Sequence, residues 1–228
     1  ASGHDASAPW DGWFLRRRAA PGRPAGGPRA VIHIRRARPQ DANGMGLAHV
    51  AAWRSAYAGI LPEAYLANLS ALREAASYQR GIAARQNGHA AFVAVEDGED
   101  MPEGTRGPTR TPPGGLVVGF VTGGRSRRPE MAEAEVETLY LLDDWREQGI
   151  GRRLMRAMAA HLRALHCRNA FVWVLADNPS RWFYERLGGR IVAHGEVEVA
   201  GLSIEQQALL WDPVESLLAA TAGTSSPS

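Results

Sequence analysis

The amino-acid sequence predicts a mixed α/β fold, with one mostly antiparallel central sheet carrying helices on both faces. Three observations lead there. Strand-like runs alternate with segments of helical periodicity from residue 31 to residue 211. Hairpins interrupt that alternation, the clearest joining residues 91–96 to 116–122 across a long connection, and a hairpin makes its strands antiparallel neighbours. The longest helical pattern keeps its apolar residues in one stripe, as a helix packed on a sheet does.

A first strand covers 31–37, where Ile32 and Ile34 alternate with His33 and Arg35. Helices follow at 40–57, 62–68 and 71–87, the last rich in Ala and Arg, which favour helix. Strands at 90–96, 115–123 and 133–142 carry the Val, Phe, Thr and Tyr that suit a pleated surface. Between the first two of them, residues 97–115 read as a mobile Pro/Gly loop. The long helix spans 149–167 and repeats apolar residues at Ile150, Leu154, Met158, Leu162 and Leu165. A strand at 169–175 precedes a helix at 179–187, for which Asn178 is the cap and Pro179 the first-turn residue. Strands near 190–198 and 203–211 complete the pattern. Residues 30–212 therefore form a single domain of the 228-residue chain, between flexible tails at 1–29 and 213–228. Trp10, Trp13, Phe14 and Leu15 give the first tail apolar residues that could dock, for instance on a second subunit.

The strand at 133–142 runs into a polar turn that contains Arg146-Glu147-Gln148-Gly149-Ile150-Gly151, and the long helix opens there. A helix N-terminus presents unsatisfied amides and a positive pole, which together attract phosphate. Gly149 and Gly151 let a ligand approach the backbone closely. Arg146, Arg152 and Arg153 crowd the same pole, where cations cost stability unless an anion offsets them. Their other reading is a solvated helix face. The dinucleotide fingerprint fails, because Leu154 stands at its third glycine, and the P-loop fails, because the chain has no lysine.

This turn resembles the acetyl-CoA pyrophosphate loop of the GCN5-related N-acetyltransferase (GNAT) superfamily, [Arg/Gln]-x-x-Gly-x-[Gly/Ala]. Two further segments support the resemblance. Asn178-Pro179-Ser180-Arg181-Trp182-Phe183-Tyr184-Glu185-Arg186-Leu187-Gly188-Gly189 is similar to the superfamily's second signature, with Gly189 where an aromatic residue is commonest. Ile34-Arg35-Arg36-Ala37 and Trp53-Arg54-Ser55-Ala56-Tyr57 through Pro62 resemble the first strand and helices of many small bacterial members. The resemblance covers about residues 30–212 and implies a GNAT-like acyl-CoA N-acyltransferase fold with acetyl-CoA as cosubstrate. It implies pyrophosphate binding by Arg146, Glu147, Gln148, Gly149, Ile150, Gly151 and Arg152. It further implies that the strand before the turn splays from its neighbour, with backbone contacts to pantetheine along the exposed edge from Leu139, Leu141 and Leu142 and help from Asn178 and Tyr184. Trp53, Tyr57 and Ile60 would wall the acceptor site, with Leu61 and Tyr65 behind them, although aromatics at helical spacing are also ordinary core.

Attack of an amine on a thioester needs a base for the amine, donors for the oxyanion and an acid for the leaving thiolate. Glu135 and Glu137 lie two apart on one strand and share a face, where each raises the other's pKa. By distance from the Gly turn, Glu135 corresponds to the base of several GNAT members, and Glu137 is the second choice. Two other readings stand beside these: a wet outer face, or electrostatic binding of a cationic substrate with water carrying the proton. Tyr184 is the expected acid, since a phenol is able to protonate a thiolate; otherwise it is a packed tyrosine.

The rest of the sequence narrows the function. A net charge of +2 without a basic, aromatic-laced stripe gives no reason to expect nucleic acid. His161 and His166 are five apart and no His-x-x-x-His pair occurs, so no metal is expected. No Gly-x-Ser-x-Gly elbow is present. The single Cys167 fits a reducing, cytoplasmic setting and a packing role at the end of the long helix. No membrane span or secretory signal is expected. The expected partner is a small-molecule amine or a protein N-terminal or side-chain amine, and a homodimer is left open. A non-catalytic acyl-CoA-binding or sensing module on the same fold is the alternative to an enzyme.

Overall fold

The computed structural model describes residues 31–96 and 115–222. The expected tail at 1–29 and nearly all of the expected 97–115 loop lie outside these residues. Seven strands form one sheet: β1 (Ile32–Arg36), β2 (Ala90–Glu96), β3 (Leu116–Arg125), β4 (Ala134–Leu141), β5 (Ala170–Leu175), β6 (Arg190–Val199) and β7 (Leu202–Trp211), in the order β1-β2-β3-β4-β5-β7-β6. Every neighbouring pair is antiparallel except β4 with β5. The mixed, mostly antiparallel sheet expected from the hairpins is therefore present.

Helices α1 (Ala42–Ala56), α2 (Glu63–Ala67) and α3 (Ala71–Ala84) follow β1. The apolar faces of α1 and α3 supply Met45, Ala48 and Ile82 to a core completed by Val93, Val95, Val117 and Phe120 of the sheet. Helix α4 (Ile150–Ala164) lies on the opposite face. Of its predicted stripe, Ile150, Leu154, Met158 and Leu162 are all under 3% exposed, while Leu165 falls at the C-cap and is half-buried. Burying four such side chains stabilises the fold by roughly 6–12 kcal/mol before entropy is charged. Helix α5 (Arg181–Arg186) adds Tyr184 and Phe183 to the same side. Gly189 needs no aromatic side chain, because Trp211 occupies that space: a Cβ there would meet its indole at 3.1 Å.

One expectation fails at the C-terminal end. Residues 213–228 read as a tail, yet Val214–Ala220 forms helix α6, with Val214 and Leu217 fully buried against α4. Arg152 donates to the Ala220 carbonyl at 2.7 and 3.0 Å, and Arg156 donates to that of Leu218 at 3.0 Å. These guanidinium groups satisfy carbonyls that the end of a short helix leaves open.

The sheet opens between β4 and β5. The two strands pair at Ala134 with Ala170, Glu135 with Phe171 and Val136 with Val172, and then part. A bulge on the other edge of β4 coincides with that point: Gly123 opposes Val136 and Thr122 opposes Thr138, which leaves Glu137 as the extra residue. A bulge bends its strand and increases the local twist, here away from β5. Gly123 permits it, since a Cβ there would come within 2.6 Å of the Glu135 carbonyl.

Candidate functional site

The turn after β4 is built from local sequence. Leu142 donates its amide to the Val118 carbonyl at 2.9 Å, ending the strand. A single 3-10 turn, Asp143–Trp145, follows, with the Trp145 ring buried as its anchor. Glu147 and Gly149 then adopt left-handed backbone, at φ 60° and 74°. The first bond of α4 runs from the Arg153 amide to the Gly149 carbonyl at 3.1 Å. The amides of Ile150, Gly151 and Arg152 therefore have no acceptor within the helix. A Cβ on Gly149 would meet nothing within 4 Å, so the cradle is open. Among the described residues, no side chain stands within 4 Å of that position.

The arginines divide. Arg146 lies beside this cradle and pairs with Asp143 at 3.1 Å. Arg152 borders the same space, but its guanidinium is committed to α6. Arg153 reaches instead to the Ile32 carbonyl of β1 at 2.7 Å. The crowding of cations at this helix start thus has a structural cause for two of the three. Gln148 folds back onto the Asp144 carbonyl at 2.9 Å, and the Ile150 side chain is core, so what these two offer a ligand is backbone.

From the cradle a cavity of about 520 Å³ runs into the gap between β4 and β5. Leu139 and Leu141 border it. Since the Leu142 amide points to β3, alternation along an antiparallel strand turns the amides of Leu139 and Leu141 toward the gap. Leu142, expected beside them, is corrected: its amide is bound to Val118 and its carbonyl accepts from Trp145 at 3.0 Å. Acceptors and donors on one side of a strand with no neighbouring strand suit an extended, amide-bearing ligand arm.

The carboxylates separate sharply. Glu137 lines the cavity. Thr122 donates its hydroxyl to Glu137 Oε2 at 3.3 Å, and His89 Nε2 lies 3.3 Å from the same oxygen. Burial pushes the Glu137 carboxyl up, but His89, Arg127 and Thr122 outweigh it and hold the group below its ordinary pKa. Glu135, the first-choice base, does not border the cavity. Arg127 donates to both of its oxygens, at 2.8 and 3.2 Å, and the carboxylate is nearly buried in that fork. Both glutamates face the α1–α3 side, as their spacing predicts, but β4 bends between them and only the second reaches the gap.

On the α5 side the cavity ends at Tyr184, which is 5% exposed. Burial, with the nearby Tyr57, raises its pKa well above the ordinary phenol value, so the hydroxyl stays protonated. That hydroxyl has no hydrogen-bond partner among the described residues. Asn178 donates to the Tyr57 hydroxyl at 3.0 Å, and its own Oδ1 accepts from the Ser180 amide at 2.8 Å, so it braces the turn before α5 and positions Tyr57; the expected cap is corrected, because Ser180 is the N-cap and Pro179 lies ahead of the first helical turn. Tyr57 lines the cavity; Trp53 stands behind it, edge-on at 4.9 Å. Ile60 packs with Leu61, Leu66 and Tyr65 away from the cavity, so of the three expected wall residues Tyr57 alone borders it.

Several lining or supporting residues carried no signal. Tyr140 accepts from Trp53 Nε1 at 2.9 Å and stacks on His49 at 4.7 Å. Trp173 borders the cavity although its position in a strand reads as packing. Thr122, His89 and Arg127 reach Glu137 or Glu135 from β3, the start of β2 and the β3–β4 connection, positions that only the folded sheet brings together. Cys167 is buried, and burial raises its thiol pKa, which suits packing. No cluster of metal-ligating side chains occurs among the described residues.

Known proteins resemble this chain in sequence and in fold. A family model described as the acetyltransferase (GNAT) family covers residues 51–189. The N-acetyltransferase YuaI of Bacillus subtilis (strain 168), itself uncharacterized, is 28% identical over 188 residues, 82% of this chain and 96% of YuaI. The PaiA N-acetyltransferase of Thermoplasma acidophilum, solved with coenzyme A, superposes with a TM-score of 0.57 at 16% identity, over 78% of this chain and 98% of its own. YncA of Salmonella typhimurium, solved with its cofactor acetyl-CoA, gives 0.57 at 14% identity, over 87% and 99%.

Proposed function

The chain belongs to the acetyltransferase (GNAT) family, and on that premise we propose that it transfers the acetyl group of acetyl-CoA to a primary amine by direct attack on the thioester. Acetyl-CoA supplies an activated acetyl carbonyl. The amides of Ile150, Gly151 and Arg152, with Arg146, bind the pyrophosphate, and the gap-facing backbone of Leu139 and Leu141 holds the pantetheine arm. The open face of Gly149 and the roughly 520 Å³ space beyond it support this fit.

Glu137 takes the proton from the attacking nitrogen as the C–N bond forms. Tyr184 donates its hydroxyl proton to the sulfur as the C–S bond breaks, leaving neutral coenzyme A thiol and an acetamide. Two observations support these roles. Among the described residues, the carboxylates bordering the cavity are Glu137 and Glu147, and Glu147 belongs to the phosphate turn. Tyr184 borders the same space with a protonated hydroxyl that no group among the described residues satisfies.

The observation that carries the reading is Glu137 at the bulge, at the mouth of the gap. Thiol release from acetyl-CoA across a panel of primary amines tests it. Glu137→Gln is expected to lower kcat/KM by about 100-fold, as loss of a general base does. Glu135→Gln is expected to act on stability and to leave the chemical step within about threefold, since it loses its fork with Arg127. The reverse order of damage would return the base to Glu135. Coenzyme A binding without turnover on any amine would favour a sensing module.

A further inference from the structure

His89 is not explained by packing. It follows a short 3-10 turn, Gln86–Gly88, at the start of β2. Its Nε2 faces Glu137, while its Nδ1 is buried without a hydrogen-bond partner. A buried ring nitrogen left bare is a cost, and a packed apolar side chain at this place would avoid it. Two glycines nevertheless make room for the ring. Gly81 sits in the last turn of α3, where glycine is a poorer helix former than alanine. A Cβ there would stand 3.3 Å from His89 Cε1. Gly124 of β3 lets the His89 backbone come close, since its Cβ would lie 2.9 Å from the His89 Cα. His161 of α4 fixes the turn from the other side through Nε2 and the Gly88 carbonyl, 2.7 Å apart.

We propose that His89 is a positioning residue for acetyl transfer: its Nε2–H donates to Glu137 and keeps that carboxylate turned into the cavity as the proton acceptor. The inference rests on the reading of Glu137 as the base. It follows from geometry at the bulge. Glu137 is the unpaired residue of β4, so the ladder alone leaves its side chain loosely directed. Thr122 and His89 converge on the single oxygen Oε2, which leaves Oε1 for the substrate. With Nε2–H as the donor, the bare Nδ1 is a lone pair, and a lone pair without a donor costs less than an N–H without an acceptor.

Other charged and titratable groups face this pair. Arg127 of the β3–β4 connection acts on Glu137, although its fork is held by Glu135. Tyr78 of α3 feels the Glu137 charge. His161, with Arg36 beside it on β1, lies near His89. His89 is the one among them that contacts the Glu137 carboxylate directly.

Carbon-13 NMR titration of the Glu137 carboxyl, with no substrate present, tests the proposal together with pH profiles of kcat/KM. In His89→Leu the carboxyl is expected to titrate about one unit higher, because burial then acts with less opposition. The acid limb of kcat/KM is expected to move with it, a loss of about tenfold on that limb with the alkaline plateau within about threefold. His89→Gln, which returns an N–H donor, is expected to restore most of the shift. An unmoved Glu137 titration in His89→Leu overturns the proposal while leaving the base reading intact. A moved titration with an unmoved acid limb overturns Glu137 as the base and the proposal with it. Nitrogen-15 NMR of the unaltered protein needs no variant: Nε2 is expected to carry the proton at neutral pH, and an Nδ1–H tautomer would overturn the proposal.

Discussion

Tyr184 shows how a single side chain can be separated from its neighbours. A buried tyrosine ordinarily gives its hydroxyl to a carbonyl, and removing it then costs stability. Here the ring packs edge-on at 5.3 Å to Phe183 and at 6.1 Å to Trp211, while the hydroxyl faces the cavity. Tyr184→Phe keeps the ring, so the melting temperature is expected to stay within about 2 °C. Turnover is expected to fall about 100-fold with acetyl-CoA affinity unchanged, measured by steady-state kinetics and calorimetry. His49 makes the opposite case, a titratable group whose effect is on folding. Burial lowers its pKa from 6.5 to about 4, so the ring stays neutral in the native state. Between those values the unfolded chain binds more protons, and stability falls as pH drops from 6.5 towards 4. Above 6.5 the contribution is nil. Denaturant melts of the protein and of His49→Gln are expected to diverge progressively below pH 6.5, by roughly 2 kcal/mol at pH 4.5. Parallel curves would place the ring's charge elsewhere.

At the scale of elements, the proposed phosphate cradle is a strand end, a short turn and a helix start, and each was legible from local sequence. Gly149 and Gly151 marked the turn, and the stripe from Ile150 to Leu162 fixed the axis of α4 and so the direction of its free amides. Gly151 faces Leu141 Cδ1 and Phe183 Cζ, each 3.4 Å from where a Cβ would sit. An indole there has nowhere to go but the mouth of the gap. Gly151→Trp is expected to weaken coenzyme A binding by at least about 100-fold in calorimetry, with far-ultraviolet dichroism unchanged. Near-normal affinity would place the pyrophosphate elsewhere. What could not be read was non-local. The bulge at Glu137 depends on which β3 residue faces it, and the choice between two glutamates two residues apart turned on that one inserted position. The partners of Glu135 and Glu137 sit at Arg127, Thr122 and His89, which carry no shared pattern along the chain. Helix α6 was missed for a related reason. Its seven residues span barely two turns, and its reason to exist is the surface of α4 beneath it.

At the scale of the whole molecule, the sheet is two pieces, β1 to β4 and β5 to β7 to β6, joined along their shared edge by three residue pairs. Helix α4 packs on β2, β3 and β4, and α6 joins it to the end of β7, so the join is reinforced on one face. The overall α/β class followed from sequence because alternation and hairpins are local; the parting of the sheet beside β4 was implied by the family resemblance alone, because it depends on strands that are neighbours only after folding. A ligand arm that bonds to the β4 edge adds contacts that the unfolded chain lacks. Coenzyme A at 100 times its dissociation constant is therefore expected to stabilise the protein by about 2.7 kcal/mol, seen as a rise in melting temperature with ligand concentration. Amide hydrogen exchange is expected to slow most at Leu139 and Leu141. Two plates joined by so short a seam would be laced together by a coenzyme arm bonded along β4. Resistance to heat and to proteases in this protein should then track the metabolic supply of the thioester, so that the empty form is the one a cell clears first.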